Sequence, residues 1–160
     1  MKKLVVLVLL IGLFLAHHHN IFAALNEHDK SQYEDELKDK FQEIFYKRTK
    51  LFNELLVNED ISIAYIEGEL ERLEVDPLLT EDIKVFRALK ENPSCHELIE
   101  GFNIEEFKIV ALKNNVIHLD VKLLWRLAGL ADISTEELSY QVKMVKAKDE
   151  WLLMDYEAVE

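Results

Sequence analysis

The side chains able to do chemistry in this chain are few, and the most suggestive lie near its C-terminal end. Tyr140 alternates with Val142 and Met144, which turns its hydroxyl toward an interior where it needs a hydrogen-bond partner. Asp155 alternates with Trp151 and Leu153, so it reads as an inward acid able to serve as a general base. Paired, they would be a base and a hydrogen-bond donor. If the last strand is an edge or has mixed faces, Asp155 stands in water instead and the pair dissolves. Tyr156 is a further candidate, and Trp125, Tyr140 and Tyr65 are the candidate ligand contacts.

Metal and thiol chemistry find less support. His118 and Asp120 sit two apart on what reads as a wet strand face, and two ligands do not make a metal site. Cys95 is the only cysteine, which excludes an intrachain disulfide. Its neighbour His96 has no second thiol or ligand group at ligand spacing, so the pair reads as passive. His17, His18 and His19 lie in a segment that is either removed or lipid-embedded. No metal and no cofactor is expected.

The elements that must position these groups centre on Asn115 to Leu127. There Ile117, Leu119, Val121, Leu123, Trp125 and Leu127 alternate with His118, Asp120, Lys122 and Arg126, interrupted by Val116 and Leu124. Such alternation marks a strand with one dry face and one wet one. The dry face carries no ionisable residue, which argues against a catalytic site on it. A strand of this length needs strand neighbours and a cover.

The cover comes first in the chain. From Ser31 to Val57, Leu37, Phe41, Ile44, Phe45, Leu51, Phe52, Leu55 and Leu56 form one helical stripe, with Arg48 where an apolar knob belongs. The stripe either lies on the sheet or pairs with another chain as a coiled-coil adaptor through 31–57. Asn58-Glu59-Asp60 opens a second helix that Asp76-Pro77 stops, and Thr80-Glu81-Asp82 caps a third that ends before Asn92-Pro93. Ser94 then caps a short turn through Ile99.

Strands follow. Phe102 to Leu112 places Phe107, Ile109 and Ala111 on one face and Ile104, Lys108, Val110 and Leu112 on the other. Lys113-Asn114-Asn115 is a tight turn, because Asn tolerates the left-handed backbone that hairpins require. Gly129 to Thr135 connects onward to a strand at Glu136 to Lys148. Lys148-Asp149-Glu150 turns again into Trp151 to Val159. The expected fold is α+β, with N-terminal helices packed on a curved four-stranded antiparallel meander. Strands this long are expected to bend strongly and curl the sheet around its helix.

This order of a long helix, shorter helices and long antiparallel strands resembles the nuclear transport factor 2-like (cystatin-like cone) superfamily. The closing segment Tyr140-Gln-Val-Lys-Met-Val-Lys-Ala-Lys-Asp-Glu-Trp-Leu-Leu-Met-Asp-Tyr resembles that superfamily's usual ending. The resemblance spans about Ser31 to Glu160 and implies a cone whose sheet wraps the first helix. The superfamily holds isomerases, dehydratases, transport factors and many exported bacterial modules of unknown role, so it implies little about chemistry.

Composition sets the remaining bounds. At 160 residues, 49% hydrophobic and 31% charged, the chain reads as one globular domain with accessories. A net charge of −12 repels phosphate backbones and anionic headgroups, which excludes nucleic acid as the expected partner. Lys2 and Lys3 followed by the apolar run Leu4 to Ala16 form an export-signal pattern, with cleavage after Ala23 or Ala24. If cleavage fails, residues 4–25 remain as a membrane anchor. The expected organisation is therefore a signal peptide or anchor over 1–24 and a single domain over 25–160, helical across 31–100 and a sheet across 102–160. The expected place is secreted, or tethered to the outer side of a bacterial cytoplasmic membrane.

Two function classes follow. One is a non-enzymatic binding or interaction module contacting a protein or an apolar small molecule, with a homodimer through the sheet as one arrangement. The other is a small-molecule isomerase or dehydratase using Asp155 and Tyr140.

Overall fold

Alternation and stripe both become regular structure in the computed structural model, which describes residues 27–92, 97–129 and 132–159. Helix α1 spans Glu27–Val57, α2 spans Ile63–Leu70 and α3 spans Leu78–Glu91. Strands β1 (Leu98–Lys113), β2 (Val116–Ala128), β3 (Ile133–Ala147) and β4 (Glu150–Val159) follow and pair antiparallel in the order β1-β2-β3-β4. Residues 1–24, expected to be an export signal or anchor and holding the three histidines, lie outside the described residues, as do Cys95 with His96 and the Ser94 cap. Among those described, no helix is long and apolar enough to cross a membrane.

The core forms where the α1 stripe meets the dry face of β2. Leu37, Phe41, Ile44, Phe45, Leu51 and Leu55 from α1 are buried, as are Ile117, Leu119, Val121, Leu123 and Trp125 from β2. Tyr140, Val142 and Met144 of β3, Trp151 and Leu153 of β4, Ile66 and Leu70 of α2, Leu73, and Leu78 and Phe86 of α3 belong to it as well. Phe41 and Phe45, which a coiled coil would need on its surface, are 0% and 2% exposed under the sheet. The outer face of the sheet is laced with ion pairs: Lys122 to Glu137 at 2.7 Å, Arg126 to Glu100 at 3.0 Å and Lys143 to Asp155 at 2.6 Å.

Two hairpins turn where asparagine and aspartate permit it. Asn114 and Asn115 adopt φ of 53° and 62°, and Lys148 and Asp149 adopt 50° and 68°. Positive φ at both central residues matches the right-handed twist of the flanking strands. Helix α3 begins earlier than its sequence suggests. Its N-cap is Pro77, and Thr80 Oγ1 donates to Asp76 Oδ1 at 2.6 Å instead of capping the helix. Leu98 already belongs to β1, so the turn expected through Ile99 is strand at its end.

Strict alternation fails in β1, and the reason is bulges. The register skips Glu100, Glu105 and Val110. Each extra residue resets which face follows, so Ile99, Phe102, Ile104, Phe107, Ile109 and Leu112 all pair with the dry positions of β2, from Leu127 down to Ile117. Ile104 and Leu112 therefore share a face with Phe107, whereas Ala111 pairs with His118 on the wet side.

The sheet does not curl into a cone, which corrects the fold expected from length and from resemblance. Pairing of β2 with β3 runs from Val116↔Val145 to Ala128↔Ile133 without a shift. Bulges are the device that bends strands, and here they fall in β1 and at one point in β4. The middle of the sheet has no corner about which to close, and identity with the nuclear transport factor 2-like superfamily is not supported.

Candidate functional site

Helix α1 carries one cation on its buried stripe, and the site forms around it. Arg48 follows Phe45 by three residues and precedes Phe52 by four, so it points inward with them. Its Nε donates to Glu74 Oε1 and its Nη2 to Asp82 Oδ2; Nη2 also donates to the Tyr156 hydroxyl at 3.2 Å. The guanidinium lies 4.7 Å above the Tyr156 ring and 5.6 Å from the Phe45 ring. A planar, delocalised cation suits this sandwich of rings and carboxylates better than an ammonium would.

Each acid is held by a different element. Glu74 sits in the segment between α2 and α3, where Val75 N donates to Leu153 O and Leu153 N to Leu73 O, both at 2.9 Å. That pinning leaves Glu74 only 1% exposed, with Oε2 buried and lacking a hydrogen-bond partner among the described residues. Asp82 comes from α3 and is 7% exposed. Burial pushes the Glu74 carboxyl up to about 8; Arg48 opposes the rise and the neighbouring Asp82 adds to it. One cation between two buried acids is balanced when one acid keeps its proton. Burial alone would disfavour the Arg48 cation, but Tyr156, Glu74 and Asp82 hold its pKa above the ordinary value.

In front of this cluster lies a pocket of about 340 Å³ between α1, α3 and the inner face of the sheet. Phe45, Phe52, Phe86, Trp125, Tyr140 and Tyr156 give it aromatic walls, and Arg48, Asp82 and Glu136 are its charged lining residues. The rings interlock around Phe45, whose centroid is 5.6 Å from Tyr156, 6.2 Å from Phe102 and 6.4 Å from Trp125. Trp125 Nε1 donates to the Tyr140 hydroxyl at 3.0 Å, and the Tyr140 and Tyr156 rings stand 6.0 Å apart. Burial raises the Tyr140 pKa, so that phenol keeps its proton.

Of the residues singled out from sequence, the structure brings Trp125, Tyr140 and Tyr156 together in the pocket. Tyr65 is 51% exposed and does not line it. Asp155 is on the outer face, its side chain 41% exposed and bonded to Lys143. The cause is a bulge at Met154: Met144 pairs with Leu153 but Lys143 pairs with Asp155. The face flips after Leu153, and Tyr156 turns inward in place of Asp155. The acid–base pair of Asp155 with Tyr140 does not assemble. His118 and Asp120 lie on the outer face as expected, and no group of three or more potential metal ligands occurs among the described residues.

Sequence reasoning missed Arg48, Glu74 and Asp82 as a unit. Arg48 did carry a signal, a charge in a stripe otherwise made of Phe, Ile and Leu. Asp82 reads as a first-turn dipole acid and Glu74 as an acid near the end of the second helix, and nothing local distinguishes either from a solvated carboxylate.

No family model matches the chain, and no curated protein matches it. Among solved structures it is similar to a designed β-sheet protein determined by solution NMR, with 13% identity and a TM-score of 0.33, over 76% of this chain and 88% of that one.

Proposed function

We propose that this protein is a non-enzymatic binding module whose site is the pocket between α1, α3 and the sheet, and that it takes a small, largely apolar molecule. The supporting observation is the pocket itself: six aromatic side chains around about 340 Å³, with a fixed cluster of polar groups at one side. Ligand sites have this make-up, mostly apolar walls with a few placed polar groups that set orientation. Asp82, the acid of the cluster that lines the pocket, is engaged by Arg48, which supports an architectural part in place of proton transfer. The basic start and apolar run of residues 1–24 support a position outside the cytoplasmic membrane.

The test uses N-phenyl-1-naphthylamine, a neutral apolar fluorophore. Val85 lines the pocket yet is 51% exposed, so Val85→Trp blocks the entrance without disturbing buried packing. The expected result is saturable binding to the native protein that Val85→Trp abolishes while the melting temperature stays put. Binding that is unchanged in the blocked variant, or absent from both, overturns the proposal.

A further inference from the structure

We infer that the pocket recognises an uncharged, flat molecule through a carbonyl oxygen, which the hydroxyls of Tyr140 and Tyr156 bind by donating their hydrogens. This deepens the proposed function and rests on the pocket being a ligand site.

Donor chemistry fixes the direction of two hydrogen bonds. An indole N–H and a guanidinium N–H can only donate. The Tyr140 hydroxyl therefore accepts from Trp125 Nε1 at 3.0 Å, and the Tyr156 hydroxyl accepts from Arg48 Nη2 at 3.2 Å. A phenol also carries one hydrogen of its own, and no protein acceptor takes either hydrogen among the described residues. Both rings line the same pocket, 6.0 Å apart. Two phenols polarised by donors behind them and with hydrogens left to give form a site for an acceptor. A carbonyl oxygen, with two lone pairs, can take both.

The charges around the pair select a neutral ligand. Arg48 is already shared between Glu74 and Asp82, so it has little to offer a carboxylate. Asp82 and Glu136 line the pocket and would repel one. A cation is attracted by those acids but presents donors to donors at the two hydroxyls. The ring faces of Phe45, Phe52, Phe86 and Trp125 favour a planar body.

Three naphthalenes of matched size decide the matter by equilibrium dialysis against the full chain: 2-acetylnaphthalene, 2-ethylnaphthalene and 2-naphthoate. The ketone is expected to bind about tenfold tighter than the hydrocarbon, the scale of one to two hydrogen bonds. The naphthoate is expected to bind more weakly than the ketone. Tyr156→Phe should remove much of the ketone's advantage while leaving the hydrocarbon's affinity unchanged. Tyr140→Phe should act likewise, and the comparison of ligands on the native protein stands even if that variant does not fold. Equal binding of ketone and hydrocarbon overturns the carbonyl inference and leaves the apolar pocket intact. Tighter binding of the naphthoate overturns the choice of a neutral ligand. Failure of all three to bind overturns the inference together with the proposed function.

Discussion

Replacing Glu74 by glutamine isolates the titration of one buried carboxyl from everything else in the chain. Gln keeps the shape and an oxygen for Arg48 Nε, but it cannot ionise. Below pH 4.5 the native carboxyl is protonated in both folded and unfolded chains, and the two proteins differ little. Between 4.5 and about 8 the unfolded chain releases its proton while the folded one keeps it. Unfolding of the native protein is then favoured further with each pH step, and the loss is complete once pH has risen through about 8. At roughly 1.4 kcal/mol per pH unit the interval sets a ceiling of about 5 kcal/mol. That is a large part of the 5–15 kcal/mol typical of a domain. Urea denaturation followed by tryptophan fluorescence at pH 5, 6, 7 and 8 reads it out. The difference between native and Glu74→Gln midpoints cancels the titrations they share. Glu74→Gln should gain steadily on the native protein as pH rises, by on the order of 1–2 M urea across the range. Parallel midpoints would refute the reasoning. So would the opposite sign, which would mean that Arg48 holds Glu74 ionised and that its native pKa is depressed.

Two further substitutions test the face assignments. Trp125→Ala should cost about 3–5 kcal/mol, because it empties a buried site ringed by Phe45, Phe102 and Tyr140, whereas Asp120→Ala on the outer face should stay within about 0.5 kcal/mol. Chemical denaturation measures both, and equal costs would contradict the face assignment. Asp155→Asn should cost less than about 1 kcal/mol, since its pair with Lys143 is largely solvated, and should leave binding of the naphthyl probes unchanged. A large loss of binding would return Asp155 to the site.

What could be read from the sequence, and what could not, divides along local versus non-local physics. The α1 stripe, the dry face of β2, both positive-φ hairpins and the meander order all follow from patterns within a dozen residues. Curvature did not, because it depends on where bulges fall, and a bulge leaves no signature until the partner strand is known. The same blindness exchanged Asp155 for Tyr156: alternation counted from Trp151 is right as far as Leu153 and wrong beyond Met154. The aromatic half of the pocket was legible through Trp125 and Tyr140. Its ionic half was not, since Arg48, Glu74 and Asp82 meet across 26 and 34 positions of sequence. Only the charge within the α1 stripe hinted that a buried partner had to exist.

The irregular margins of the sheet bear on how the molecule behaves in crowded solution. An unpaired strand border is a template on which another chain can polymerise, most readily when it is long, flat and regular. Here β1 is broken at three points along its length, and Asn53 clasps Ile99 with both its amide nitrogen and its amide oxygen, at 2.7 and 3.0 Å. At the opposite border the backbone of Leu73 and Val75 already occupies Leu153 of β4. Among the described residues both borders are therefore interrupted against fibril-forming addition, and clearing the β4 side would first require peeling away the segment that also holds Glu74 against Arg48.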